Sequence, residues 1–181
     1  MKIVTLMENT AADPALACGH GLSLYVETAE HRILFDMGPD DRFLDNARRL
    51  GVDLAAVDTA VLSHGHYDHA GGLAAFLSAN DHAMVYVSRH AFDDYYAVSD
   101  GGERFIGVPE APRRQMERFV LCGEETVIDG TLRLFSHVES RDYPSGANGT
   151  LRRREGGEYV ADDFRHEQSL IVTEGDTTVV V

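Results

Sequence analysis

The segment VLSHGHYDHAGG, residues 61–72, decides which fold and chemistry this sequence predicts. It begins with the end of an apolar run typical of a buried strand and finishes on a pair of glycines. Within six positions it places four potential metal ligands: His64, His66, Asp68 and His69. Imidazole nitrogens and carboxylate oxygens bind divalent metals. Because an ordinary polar loop seldom holds so many such groups, the segment predicts a metal site at the end of a strand.

The spacing H-x-H-x-D-H favours two metal ions. In an extended segment residues two apart point to the same side, so His64 and His66 can bind one ion while Asp68 and His69 turn toward a second. The lack of nearby cysteine argues against a structural zinc finger and indicates an open, catalytic site. Zinc suits these donors best, with manganese or iron as alternatives. Two ions about 3.5–4 Å apart can share a water and lower its pKa to roughly 7.

The rest of the 181-residue chain predicts one layered α/β domain. Strands are expected over residues 2–6, 22–28, 32–35, 59–62 and 84–87, and helices over residues 40–50 and 72–78. Hairpins are expected for residues 125–128 with 131–135 and for residues 169–173 with 177–181. Residues 112–119 predict a short helix, whereas the glycine-rich and polar residues 99–112 and 136–163 predict exposed loops.

Composition limits the partners of this protein. Thirty Asp and Glu residues against sixteen Lys and Arg residues give a formal net charge of −14, which repels nucleic acids and anionic membranes. No run approaches the roughly 18 apolar residues of a membrane span, and the N-terminal apolar run is too short for a signal peptide. The two cysteines form no C-x-x-C pair. We therefore expect a cytoplasmic protein that binds a small molecule, with no nucleic-acid or membrane partner.

The H-x-H-x-D-H segment, together with HGLSLYVET, ILFDMG and HEQSLIV, resembles the metallo-β-lactamase superfamily. The likeness is to a branch of metal-dependent hydrolases similar to dihydropterin-ribofuranosylaminobenzene 5′-phosphate synthase, and it covers nearly the whole chain. It implies an αββα sandwich, of which this chain supplies the N-terminal portion. It also implies that His64 and His66 bind a first metal ion and that Asp68 and His69 bind a second. Asp68 is then also the proton acceptor or donor.

Other residues are expected near the metal ions. Asp36, in LFDMG, ends a strand beneath the loop, where a carboxylate can orient metal ligands, although it could simply form a turn. His20 lies in a Gly-His-Gly loop that could reach the rim of the site. His166 and Glu167, in HEQ, are expected near metal or substrate. The arginine run at residues 152–154 either binds a substrate phosphate or is a solvated loop face.

The same resemblance places further metal ligands in a Gly-Cys-Ser-His-like segment beyond residue 181. We therefore expect a single domain that is incomplete at its C-terminal side, with partial or absent metal occupancy. Oligomerisation or a second, completing polypeptide would then cover its exposed apolar surface. Three functions stay open. They are a hydrolase in which a metal-activated water attacks an ester or phosphoester, a synthase-like transferase acting on a pterin phosphate, and a non-catalytic metal-binding or oligomeric remnant.

Overall fold

The first sheet of the molecule positions the ligand-rich segment. The computed structural model describes residues 1–138 and 145–181. The sheet has the strands β1 (Lys2–Met7), β2 (Ser23–Glu27), β3 (Arg32–Phe35), β4 (Thr59–Val61), β5 (Met84–Ser88) and β8 (Phe119–Cys122), in that spatial order. Strands β1 to β3 pair antiparallel, whereas β3, β4, β5 and β8 run parallel. The carboxyl ends of four strands therefore meet at one edge, where α/β proteins commonly bind ligands.

Three α-helices accompany this sheet: α1 (Arg42–Arg49), α2 (Tyr67–Ala70) and α3 (Leu73–Ala79). The predictions of α1 and α3 are confirmed within two residues at each end. Phe43 of α1 and Phe76 of α3 are buried in one core cluster with Leu34 of β3. None of the helices in the described residues is both long and apolar enough to cross a membrane.

A second sheet packs on the opposite face of the first. It contains β9 (Glu125–Val127), β10 (Leu132–Ser136), β13 (Gln168–Glu174) and β14 (Thr177–Val180), in the order β14-β13-β10-β9. Both predicted hairpins are present. Successive residues of β3 point to opposite faces, so Ile33 and Phe35 join Leu134 and Leu170 in a second core cluster. The order of helices, sheet and sheet confirms the layered α/β prediction.

A third sheet corrects two predictions. Its strands are β6 (Tyr95–Ser99), β7 (Gly102–Phe105), β11 (Leu151–Glu155) and β12 (Glu158–Ala161), in the order β12-β11-β6-β7. The predictions of exposed loops over residues 99–112 and 136–163 are therefore wrong for the residues that form β7, β11 and β12. Each glycine pair lies at a tight hairpin turn, with φ of 117° at Gly102, the first residue of β7, and 58° at Gly156, in the turn between β11 and β12. Residues 139–144, within the second of these ranges, lie outside the described part of the chain.

The remaining helical segments are 3₁₀ helices at Leu54–Ala56, Ala111–Arg118 and Gly146–Thr150. The 3₁₀ helix at Ala111–Arg118 confirms the short helix predicted for residues 112–119, although it is not an α-helix. Gln115, with φ of −121° and ψ of 46°, interrupts it. The apolar strand β8 follows immediately and has no counterpart in the predictions.

Candidate metal centre

The H-x-H-x-D-H segment follows β4, at the edge where the parallel strands end. Helix α2 begins at Tyr67, so Asp68 and His69 lie in a helical turn that folds back toward His64. The ring of His64 has its centre 4.8 Å from that of His66 and 4.2 Å from that of His69. The fold therefore brings the predicted ligands together in space as well as in sequence.

The ligand atoms form two groups. His64, Asp68 and His69 each offer one ligand atom, and these atoms lie within 4.8 Å of one another. His66 forms a second group, of the same spacing, with Asp162 and His166. His64 thus lies with the ligands of the helical turn, whereas the spacing in the sequence pairs it with His66. Which residues share an ion stays a prediction.

The buried carboxylate of Asp36 supports the first group from below. Its Oδ2 accepts hydrogen bonds from His69 Nδ1 at 2.6 Å and from the hydroxyl of Ser63 at 2.7 Å. Its Oδ1 accepts the backbone N–H of Ser63 at 2.7 Å. The backbone φ of 59° at Asp36 is left-handed, a conformation that aspartate adopts more readily than most residues. Asp36 therefore lies beneath the loop, in the position from which it can orient the ligands.

These hydrogen bonds determine which ring nitrogen of each neutral histidine is free. The Ser63 hydroxyl donates its single proton to Asp36, so it accepts from Nδ1 of His64, 2.9 Å away. Nδ1 of His69 likewise donates to Asp36. In both rings Nε2 is left with a free lone pair, which is the form that a metal ion requires. The donors present therefore fit a divalent metal ion.

Burial and charge act differently on the two rings. Burial, together with neighbouring His69 and His66, lowers the pKa of His64 well below its ordinary value. Burial is the largest effect on His69 and acts to lower its pKa, but the hydrogen bond that His69 donates to Asp36, together with the negative charges of Asp36 and Asp68, raises that pKa. His64 is consequently neutral near pH 7 and can bind a metal ion without first releasing a proton.

His20 reaches the rim of the site. Its Nε2 lies 3.4 Å from Oδ2 of Asp68, and Nε2 of His69 lies 3.7 Å from the same oxygen. The neighbouring Gly21 permits this approach, because a Cβ there would lie 1.9 Å from the carbonyl oxygen of Asp68. The His20 side chain is 78% exposed, so it connects Asp68 with solvent.

The two predicted site residues of the HEQ segment lie in different environments, His166 in the interior and Glu167 at the surface. His166 is fully buried and its Nδ1 accepts the backbone N–H of Gly65, between the first two ligands, at 2.8 Å. Glu167 is exposed and borders a surface cavity of about 360 Å³. His166 therefore contacts the loop that carries the predicted ligands, whereas Glu167 lies at the surface.

Ser63 and Asp162 are functional candidates that the sequence predictions omit. Ser63 directly precedes His64 in the sequence, and this position beside the predicted ligands could have identified it as a candidate. Asp162 lies four residues before His166 in DDFRHEQ, but only folding brings its carboxylate to His66, with Oδ2 3.4 Å from Nε2.

The arginine run forms part of β11 and is not a loop. Arg153 is buried and its guanidinium pairs with Glu155 at 3.0 Å and with Asp163 at 3.5 Å. Its charge is therefore already balanced by residues of this chain. A different cavity, of about 470 Å³, is bordered by Arg89, His90 and Arg165.

Most of this chain matches one family model. Residues 16–181 match the metallo-beta-lactamase superfamily. The chain is 37% identical, over 195 aligned residues, to 7,8-dihydropterin-6-methyl-4-(β-D-ribofuranosyl)-aminobenzene-5′-phosphate synthase of Methanocaldococcus jannaschii, covering 99% of this chain and 66% of that protein. It is 40% identical over 110 residues to an uncharacterised protein of the same organism, covering 60% of this chain and 41% of that protein.

The solved structures include a similar fold. The crystal structure of Tm1679, a metal-dependent hydrolase of the β-lactamase superfamily, superposes with a TM-score of 0.77 and 30% identity. The match covers 98% of this chain and 63% of that one. The chain therefore belongs to the metallo-β-lactamase superfamily, and the predicted fold class is confirmed. It spans 41% and 66% of the two curated relatives named above.

Proposed function

We propose that this protein is a metal-dependent hydrolase whose metal centre is formed by His64, His66, Asp68 and His69. The convergence of these side chains over Asp36 carries the proposal, because that carboxylate and Ser63 leave Nε2 of two rings free. Imidazole and carboxylate donors without thiolate suit zinc, with manganese or iron as alternatives. A divalent ion bound here would lower the pKa of a water to about 7 and polarise a carbonyl or phosphoryl oxygen.

Asp68 is the proposed proton acceptor or donor of the reaction. Its side chain is 14% exposed, so water can reach it, and its Oδ2 lies 3.4 Å from Nε2 of His20. His20 extends into solvent from that position. A proton taken up by Asp68 can therefore pass to His20 and leave the site.

The proposed substrate is a small ester or phosphoester. The cavity of about 470 Å³ has the size of a small-molecule site. The guanidinium of Arg89 borders it, while that of Arg165 is paired with Asp93 at 2.7 Å and Glu124 also lies in the lining. The cavity adjoins the segment that carries His166, because the hydroxyl of Ser88 donates to the carbonyl of Arg165 at 3.3 Å. An anionic group of a substrate can bind there.

Turnover by the metal-loaded protein tests the hydrolase proposal. Protein reconstituted with zinc, manganese or iron is assayed on a panel of carboxylic esters and phosphoesters. Asp68→Asn should lower kcat about 10²- to 10⁴-fold, the usual contribution of a positioned acid or base. Asp81→Asn removes a carboxylate that is fully exposed and should leave kcat unchanged. Metal-loaded protein that turns over none of the panel would instead support a non-catalytic metal-binding role.

A second candidate function is a synthase-like transfer on a pterin phosphate. It is favoured by the 37% identity to the synthase, over 99% of this chain. Turnover of phosphorylated pterin precursors by the metal-loaded protein would support it. Hydrolysis of generic esters without turnover of those precursors would count against it.

A further inference from the structure

We infer that Arg104 binds an anionic group of the substrate, a phosphate or a carboxylate, beside the proposed metal centre, and that the ring of Tyr67 holds the Arg104 guanidinium there. Arg104 belongs to β7 and Tyr67 to α2. Arg104 is then a residue that determines specificity, and Tyr67 is its positioning residue. This inference rests on the proposed hydrolase function, to which it adds a group that recognises the substrate.

The third sheet turns one of its faces toward the loop that carries the predicted ligands. Tyr95, in β6, lies on this face, because its ring contacts that of His66 edge-on with the centres 5.6 Å apart. Side chains of opposite residues in antiparallel strands lie on the same face, and successive residues of a strand alternate between the faces. Arg104 is opposite Ala97, which lies two residues after Tyr95. Arg104 therefore shares the face that is turned toward the loop.

Tyr67 connects Arg104 with the ligand segment. It directly precedes Asp68, and its backbone N–H donates to the carbonyl of Ile106, just after β7, at 2.8 Å. The guanidinium carbon of Arg104 lies 5.1 Å from the centre of the Tyr67 ring. At this distance the face of an aromatic ring attracts a cation. The end of β7 is thus fixed to α2, with a positive charge next to the residue that precedes Asp68.

The charge of Arg104 is not balanced within the described part of the chain, where its guanidinium makes no ion pair and no hydrogen bond. The guanidinium of Arg153, in contrast, pairs with Glu155 and Asp163. The Arg104 side chain is exposed, so its N–H donors are accessible to a ligand. Their planar arrangement matches the oxygens of a phosphate or a carboxylate.

The overall charge of the protein makes this position significant. With 30 acidic against 16 basic residues the net charge is −14, so the mean field repels an anionic substrate. An unbalanced cation beside the predicted ligands opposes that repulsion locally. It would also hold an anionic group at a fixed place relative to the metal centre, so that one bond of the substrate is presented to the site.

Titration with anions that are not hydrolysed tests the inference. The zinc-loaded and the metal-free protein are each titrated with phenylphosphonate and, separately, with benzoate, and ¹H–¹⁵N spectra follow the binding. We expect the Nε–H signal of Arg104 to shift on saturation. Arg104→Gln should weaken the binding of at least one anion about 10- to 100-fold, the usual effect of losing hydrogen bonds to a charged group. The anion with the larger loss identifies the group as a phosphate or a carboxylate.

Arg154→Gln is the matched control. The Arg154 guanidinium also lies over a tyrosine ring of the third sheet, that of Tyr159, at 5.8 Å. It lies on the opposite face, because the preceding residue, Arg153, is the one opposite Tyr95. Its substitution removes the same charge from the same sheet and should leave anion affinity unchanged. Arg89→Gln is measured in parallel, because the cavity beside Arg89 is the other place where an anionic group can bind.

Two variants of Tyr67 test its positioning role. Tyr67→Phe keeps an aromatic ring under the guanidinium and should keep wild-type anion affinity. Tyr67→Leu removes the ring and should weaken binding about 2- to 5-fold, the effect of an exposed cation–π contact. Equal affinity of these two variants would contradict the role of the ring. Thermal unfolding checks that each variant folds.

Unchanged anion affinity in Arg104→Gln would overturn the inference, as would a loss confined to Arg89→Gln. Wild-type protein that binds neither anion, with or without zinc, would overturn it as well. These titrations need no turnover. Anion binding that depends on Arg104 in a protein that hydrolyses none of the esters would therefore support the assignment of Arg104 while counting against the hydrolase function.

Discussion

Two buried carboxylates, Asp36 and Asp162, contact the histidines around them. Each accepts hydrogen bonds through both of its oxygens and neither side chain has exposed surface. They come from different sheet layers, Asp36 from the end of β3 and Asp162 from the turn between β12 and β13. The histidines of this region are therefore contacted by buried carboxylates from two separate parts of the chain.

Substituting Asp36 should weaken both the metal site and the fold. In Asp36→Asn the side chain keeps one acceptor oxygen, so the bonds to Ser63 and His69 cannot all persist. We expect zinc affinity to fall about 10- to 100-fold. The free energy of unfolding should decrease by about 1–3 kcal/mol, the cost of a buried polar group left unpaired.

Calorimetric zinc titration and urea unfolding measure these two effects. The matched control is Asp45→Asn, since the Asp45 side chain is 69% exposed and pairs with Arg48 on the surface of α1. Wild-type zinc affinity in Asp36→Asn would show that Asp36 merely forms a turn.

The buried histidines should make the metal-free protein sensitive to acid. The pKa values of His64 and His166 are lowered from 6.5 by burial, so the unfolded chain binds protons more readily than the folded one. Stability is then fully present above about pH 6.5 and is lost as the pH falls below that value. His69, whose pKa is raised, acts in the opposite sense, so that two lowered histidine pKa values stand against one raised value.

Urea unfolding of metal-free protein between pH 8 and pH 5 measures this dependence, at roughly half-unit steps across the range where histidine titrates. We expect a lower free energy of unfolding at pH 5 than at pH 7, and a smaller decrease in His64→Gln. A free energy that is constant or higher at pH 5 would contradict the proposed neutral, buried state of His64.

The four predicted ligands of the loop are neighbours in the chain, and their density alone indicates metal chemistry; that they bind an ion stays a prediction. Asp36 could be suggested, since its strand end was predicted. Asp162 could not, because its approach to His66 depends on how the third sheet packs against the loop. Its own segment carries only an ordinary polar pattern.

At the scale of elements, the site depends on the carboxyl ends of parallel strands. The ends of β3 and β4 lie side by side, so the backbone N–H of Asp36 donates to the carbonyl of Val61 at 2.9 Å. On the other side of β4, the backbone N–H of Gln168, at the start of β13, donates to the carbonyl of Ser63 at 2.8 Å. The predicted strand–loop–helix order was enough to place the ligands at this edge. The hairpins of the third sheet were missed because their glycine pairs were interpreted as loop signals.

The glycine pair that ends the ligand segment should not tolerate a side chain. A Cβ at Gly71 would lie 2.0 Å from the carbonyl oxygen of Pro39, whereas nothing lies within 4 Å of one at Gly130. We expect Gly71→Ala to lower the free energy of unfolding by about 1–3 kcal/mol, as overpacking usually does. Gly130→Ala is the control and should change it by less than about 0.5 kcal/mol. Equal urea midpoints for the two variants would contradict the close packing of α2 against the segment after β3.

At the scale of the whole molecule, the second sheet has apolar side chains on its outermost described strands. Val127 of β9 is 66% exposed and Val180 of β14 is 59% exposed. Sheet edges of this kind pair readily with other chains. Association with a second copy of this chain stays a prediction, and these edges are where it would occur.

Light scattering tests self-association through these edges. We expect the wild-type protein to show a mass above its monomer value of 19.9 kDa as its concentration rises. The double variant Val127→Lys, Val180→Lys should return the mass toward the monomer, because lysines on an edge strand oppose pairing. A wild-type mass of one monomer at every concentration would contradict self-association.

The central claim is that the H-x-H-x-D-H segment binds divalent metal, and elemental analysis of the reconstituted protein tests it most directly. Wild-type protein loaded with zinc and passed through a desalting column should retain the metal, while the double variant His64→Ala, His66→Ala should lose most of it. His82→Ala removes a half-exposed histidine whose ring contacts Asp81, so its zinc content should match the wild type. Zinc retention that is absent in the wild type, or that is the same in all three proteins, would contradict the account.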